Sequence, residues 1–152
     1  MGPVISIASP FTLDSNKIDE VTKLIASSAE KVQNQDFWIK SRPFYYSNKL
    51  EYSEILEDYK DLAKFLNWRP KSVYYISAGC NDILDHLILG NIAFEFCKLL
   101  EGVILFGSLL SNYTSDNEIL NNPNLIHYHN ETIFKVREFE LWMLHPDFRL
   151  VK

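Results

Sequence analysis

Between Ser72 and Phe106 the chain reads as strand, helix and strand with almost no slack between them. Ser72–Ser77 (Ser-Val-Tyr-Tyr-Ile-Ser) has the β-branched and aromatic content of a strand, and Ala78-Gly79-Cys80 reads as a turn. Asn81 then caps a helix that Gly102 terminates. The run Ile83–Leu100 is the most apolar in the sequence, yet Asp85, His86, Asn91, Glu95 and Lys98 interrupt it. A membrane span needs about 18 uncharged apolar residues, so this run is a core helix. Val103-Ile104-Leu105-Phe106 follows without a polar residue, the pattern of a central strand covered on both faces. Links this tight point to one right-handed parallel crossover.

The flanking segments need not follow that direction, so the expected fold is α+β. It comprises a mixed β-sheet of about five to six strands, three main helices and a short C-terminal helix. Val4–Ala8 reads as a first strand that Pro10 ends. Asp14 or Ser15 caps a helix whose apolar positions Ile18, Val21, Leu24, Ile25, Ala29 and Val32 recur at helical spacing. Phe37-Trp38-Ile39 is a short aromatic strand, and beyond Arg42-Pro43 the triplet Phe44-Tyr45-Tyr46 is a second edge segment. From Ser53 a helix runs to about Leu66, burying Ile55, Tyr59, Leu62, Ala63 and Leu66. Ser111–Asn124 is a polar loop, Leu125–His129 and Thr132–Val136 form a hairpin, and Glu138–Leu144 is a short helix stopped by Pro146. The 152 residues suit one domain spanning 1–152, since a chain of this length buries roughly two thirds of its unfolded surface.

Several functional classes lose support at once. The net charge of −5 and the lack of a basic stripe argue against a nucleic-acid partner. No dinucleotide or phosphate-loop glycine pattern, nucleophile elbow, zincin helix or calcium loop occurs, and five glycines leave little material for a nucleotide-cradling loop. The start Met1-Gly2-Pro3-Val4 lacks a basic, then apolar leader and goes straight into a strand pattern, from which a cytoplasmic protein without a membrane span is expected. Cys80 and Cys97 are expected to be buried, reduced thiols. Asn112-Tyr113-Thr114 matches a glycosylation acceptor that has no consequence in that setting.

Four clusters carry possible chemistry. On a continuous helix, Glu51, Glu54, Glu57, Asp58 and Asp61 fall on one face, which is either an ordinary solvated surface paired with Lys60 and Lys64 or a docking surface for a cationic partner. Asp82, Asp85 and His86 adjoin at a helix start, where an acid–base or metal role competes with simple capping. His127 and His129 alternate on a strand, as two metal ligands would, but no third ligand lies nearby in sequence. Phe37, Trp38, Phe44, Tyr45, Tyr46 and Tyr52 could stack bases, yet Lys40, Arg42 and Lys49 are too few cations for that, so core packing or protein contact is favoured.

The order of features resembles a family of small bacterial proteins of unknown function associated with polymorphic toxin systems as presumed immunity proteins. The residues that carry the resemblance are Gly2-Pro3, Phe37-Trp38, Cys80-Asn81 with Asp85-His86, Gly102–Gly107 and the ending His145-Pro146-Asp147-Phe148-Arg149-Leu150-Val151-Lys152. Leu105 departs from the small-to-acidic trend that members show after the apolar residues of that strand. The resemblance supplies no catalytic residue and implies a protein that neutralises a co-encoded toxin by occupying it. The expected site is therefore a partner-binding surface of Glu51, Glu54, Glu57, Asp58, Asp61, Tyr45 and Tyr46, which requires no cofactor. The alternative is a small metal-dependent or acid–base hydrolase using Asp82, Asp85 and His86.

Overall fold

The computed structural model describes residues 1–12, 14–47 and 53–152, apart from the side chains of Ser53 and Glu54. The chain forms β1 (Val4–Ser9), α1 (Ser15–Ser28), β2 (Lys31–Gln33), β3 (Asp36–Ile39), β4 (Arg42–Ser47), α2 (Ser53–Asp58) and β5 (Ser72–Ala78). These are followed by α3 (Ile83–Leu99), β6 (Val103–Leu105), α4 (Asn117–Leu120), β7 (Ile126–Tyr128), β8 (Glu131–Phe134) and α5 (Val136–Met143). Short 3₁₀ segments occupy Lys60–Lys64 and Leu110–Asn112.

The strands make one eight-stranded sheet in the order β2-β3-β4-β5-β1-β6-β8-β7. The α+β class holds, but the sheet has more strands than the sequence suggested and is antiparallel between all its neighbours rather than mixed. β5 and β6 do point the same way across α3, but they are not paired with each other. β1 inserts between them, Ser6 lying opposite Tyr75 on one side and Leu105 on the other. An apolar strand at the chain start can therefore occupy the centre of the sheet, where both its edges are satisfied.

The first helix is shorter than its apolar spacing suggested. It stops at Ser28, Ala29 turns extended (φ −86°, ψ 139°), and the Glu30 N–H donates to the Trp38 carbonyl, so Val32 lies in β2 opposite Phe37. The third helix is capped by Asp82, one residue later than expected: its carboxylate accepts from the N–H groups of Leu84 and Asp85, while Asp85 reaches back to the Asp82 N–H. That reciprocal arrangement satisfies donors that the first helical turn leaves free. The long loop before β7 is partly ordered into α4, and α5 starts at Val136, two residues early.

One sheet face carries α1, α3 and α5 over a core that includes Ile7, Phe37, Tyr74, Phe96 and Trp142. Burial on this side runs along α3 from Ile88 to Cys97 and explains why the helix is apolar over so much of its surface. The opposite face packs Ala8, Val73, Leu105 and Ile133 under α2 and the following 3₁₀ segment. Phe148 and Leu150 of the tail are also core residues, 3% and 1% exposed. No helix among the described residues is long and apolar enough to cross a membrane. Both cysteines are free, Cys97 buried as expected but Cys80 exposed.

Candidate functional site

The second helix is interrupted, and the acidic face drawn for a continuous helix is broken with it. α2 ends at Asp58, Tyr59 leaves helical geometry (φ −102°, ψ 9°), and Lys60–Lys64 continues as a 3₁₀ segment. Tertiary contacts account for the break: the Tyr59 ring stacks on Tyr128 at 5.6 Å, and its hydroxyl donates to the Glu131 carboxylate. Burial, reinforced by Glu131, pushes the Tyr59 phenol well above its ordinary pKa, so the hydroxyl stays a donor. The Tyr128 hydroxyl donates to the Asp58 carbonyl at 2.6 Å, clamping the end of α2 to the β7–β8 hairpin.

Charges along this segment are partly spent locally. Glu57 pairs with Lys60 and lies 3.9 Å from Arg69, and Asp61 pairs with Lys64 at 3.2 Å. The Lys60 hydrogen bond holds the Glu57 carboxyl below the usual range and raises the Lys60 ammonium. Asp58 is exposed and makes no ion pair among the described residues. Glu51 lies outside the described residues, and so does the Glu54 side chain.

Beside Asp58 the sheet opens into a groove of about 510 Å³. Its floor is Ser6, Val73 and Leu105, one wall is Ile55 with Tyr59, and the other is Tyr45 with Tyr75. Strand alternation sets this lining: Tyr45 lies opposite Ser77 and Ser47 opposite Tyr75, so both tyrosines stand on the face that α2 half covers. Each is 37% exposed. The same face continues outward to Trp38, whose ring carries the Lys31 ammonium at 4.7 Å. Tyr46, expected beside Tyr45, points the other way and is buried next to Phe37 at 5% exposure. Tyr75 was missed, although the alternation Val73, Tyr75, Ser77 was the signal that could have found it.

Asp82, Asp85 and His86 each have partners within the fold. Arg42 holds both oxygens of buried Asp85 at 2.9 Å and reaches Asp82 at 2.6 Å, joining the start of β4 to the start of α3. His86 accepts the Leu150 N–H at Nδ1 (2.9 Å), so its proton sits on Nε2, facing the Asn81 amide oxygen at 3.2 Å. Neither nitrogen meets Asp82 or Asp85. His127 is exposed on β7, whereas His129 lies in the turn with φ 51° and packs on Tyr128, so the two do not share strand alternation. A further cluster escaped notice in the sequence. His145 accepts the Asp147 N–H and faces Asp116 at 3.0 Å, and Thr114 donates to Asp147 at 2.7 Å. These bonds tie the loop before α4 to the turn after α5. Among the described residues no three or more His, Cys, Asp or Glu converge to hold a metal ion.

No curated protein and no solved structure matches the chain. A family model described as "Family of unknown function (DUF6368)" matches residues 1–152, and the chain belongs to that family.

Proposed function

We propose that the chain is a binding protein of the immunity type, which neutralises a cationic, co-encoded toxin by seating part of it in the groove between α2 and the sheet. The observation that carries this reading is the meeting of two half-open tyrosines with a carboxylate that has no ion pair among the described residues: Tyr45, Tyr75 and Asp58 line one concave surface. Tyrosine is a favoured anchor at protein interfaces, and an acidic rim speeds encounter with a basic partner. The exposed pairs of Glu57 and Asp61 fit the same reading, because surface ion pairs are weak and exchange readily for a partner's cations. A net charge of −5 adds a long-range field of the right sign. Occlusion needs no cofactor, and a cytoplasmic setting goes with it.

Occlusion is favoured over the hydrolytic alternative because the Asp82 and Asp85 carboxylates face Arg42 and both His86 nitrogens have partners. The decisive test is survival of cells that express the neighbouring toxin domain together with this chain. Tyr45→Ala combined with Asp58→Lys should abolish protection while leaving the chain folded, and His86→Gln should still protect. Full protection by the groove variant, with loss in a folded His86→Gln protein, would overturn the proposal.

A further inference from the structure

The C-terminal segment, singled out in the sequence but unused by the groove, builds a second site. Three successive backbone anchors fix it. The Trp142 indole N–H donates to the Arg149 carbonyl at 3.1 Å, the Leu150 N–H donates to His86, and the Val4 N–H donates to the Val151 carbonyl at 2.8 Å. With Phe148 and Leu150 buried on either side, Arg149 is presented from anchored backbone, and Lys152 directly follows the anchored Val151.

Both cations line an open pocket of about 500 Å³, together with Asn81, Asp82, His86 and Tyr113. Its hydrogen-bonding balance is one-sided. The Asp82 oxygens are already engaged, one by the Leu84 and Asp85 N–H groups and the other by Arg42. The Asn81 amide oxygen faces the His86 Nε2–H. On the donor side, neither the Asn81 amide nitrogen nor the Tyr113 hydroxyl has a partner among the described residues, and neither Arg149 nor Lys152 has an ion pair there, although Nη1 of Arg149 donates to the Phe148 carbonyl at 2.6 Å and leaves the other guanidinium donors for a ligand. The first turn of α3 does not contribute, because its own cap satisfies it.

From this surplus of donors and positive charge we infer that the pocket binds a phosphate-like dianion, held by Arg149 and Lys152 with Asn81 and Tyr113 completing the contacts. Two converging cations favour a dianion over a monocarboxylate, and a guanidinium suits two oxygens of one phosphate. The field is felt locally: after burial, Arg149 is the main influence that lowers the His86 pKa. The site lies at the α3 start and the tail and is independent of the α2 groove.

The test is titration of the full chain with inorganic phosphate at constant ionic strength, followed by amide and side-chain chemical shifts, with acetate as the comparison arm. Saturable shifts should appear at Asn81, Tyr113 and Arg149–Lys152, and the His86 titration midpoint should rise when phosphate is bound, because a nearby anion favours the imidazolium. Arg149→Gln and Lys152→Gln should each weaken binding about tenfold, the loss of one charge-assisted contact, while Lys98→Gln changes nothing. A linear, non-saturating response, equal saturation by acetate, or unaltered affinity in both tail variants would overturn the assignment.

Discussion

The contact between Gly90 and Phe148 offers a sharp test of how the tail is held. A Cβ placed on Gly90 would lie 2.8 Å from Cζ of Phe148, closer than van der Waals contact allows. The ring has little room to retreat, since it packs edge-on against Trp142 (5.9 Å between centroids) and Phe139 (6.5 Å). Gly90→Ala alone therefore combines two opposed effects. Overpacking costs about 1–3 kcal/mol, and replacing Gly by Ala in a helix interior returns about 1 kcal/mol. The net expectation is a loss of roughly 0–2 kcal/mol. Phe148→Leu removes the outer ring atoms, so in that background the new methyl group has space, and Gly90→Ala should become neutral or stabilising. Urea unfolding of the four proteins, with unchanged m-values, measures the coupling, expected at about 1–3 kcal/mol for residues in contact. Phe148→Ala provides the scale, with a loss of about 3–5 kcal/mol for a fully buried ring. At this chain length that corresponds to a fall in Tm of roughly 6–20 °C. Additive effects within about 0.5 kcal/mol would show that the ring does not lie over Gly90.

Tyr74 is fully buried and its hydroxyl has no hydrogen-bond partner among the described residues, so Tyr74→Phe should raise stability by about 1 kcal/mol, and a clear loss in thermal unfolding would mean that the hydroxyl is satisfied. His86 has a folded pKa below its ordinary 6.5, set first by burial, then by Arg149, with Lys152 acting the same way and Asp85 and Asp82 opposing. The unfolded chain then takes up the proton more readily, so stability should fall as pH drops below about 6.5, and His86→Gln should flatten that slope between about pH 7 and 5 in denaturant titrations. Burial pushes the Cys97 thiol up to about 12, so a thiol reagent at mildly alkaline pH should modify exposed Cys80 quickly and Cys97 only after unfolding; equal rates would contradict the buried placement.

Much of this architecture follows from local pattern. The apolar run of α3 and the β6 strand after it were legible because burial on two faces leaves a continuous apolar signature. What escaped depended on partners distant in sequence. Val32 continued the helical spacing of α1 but pairs across Phe37 instead, and the β3–β4 turn uses Lys40 and Ser41, both at positive φ (52° and 61°), where Asn or Gly would have announced a hairpin. The uninterrupted acidic face failed for the same reason, because Tyr59 abandons the helix for Tyr128 and Glu131, residues about seventy positions away. Within the site, Asp58 and Tyr45 were found from the acidic cluster and the aromatic run, but their meeting in one groove required knowing that β4 lies two strands from β1.

Chemical-shift mapping of the labelled chain on addition of the proposed toxin partner tests the proposed binding surface most directly. The proposal predicts that the largest changes fall on Tyr45, Tyr75, Ile55 and Asp58, extend outward to Trp38, and weaken as salt screens the acidic rim. Changes concentrated instead on the α1, α3 and α5 side of the sheet, with the groove residues unmoved, would contradict it.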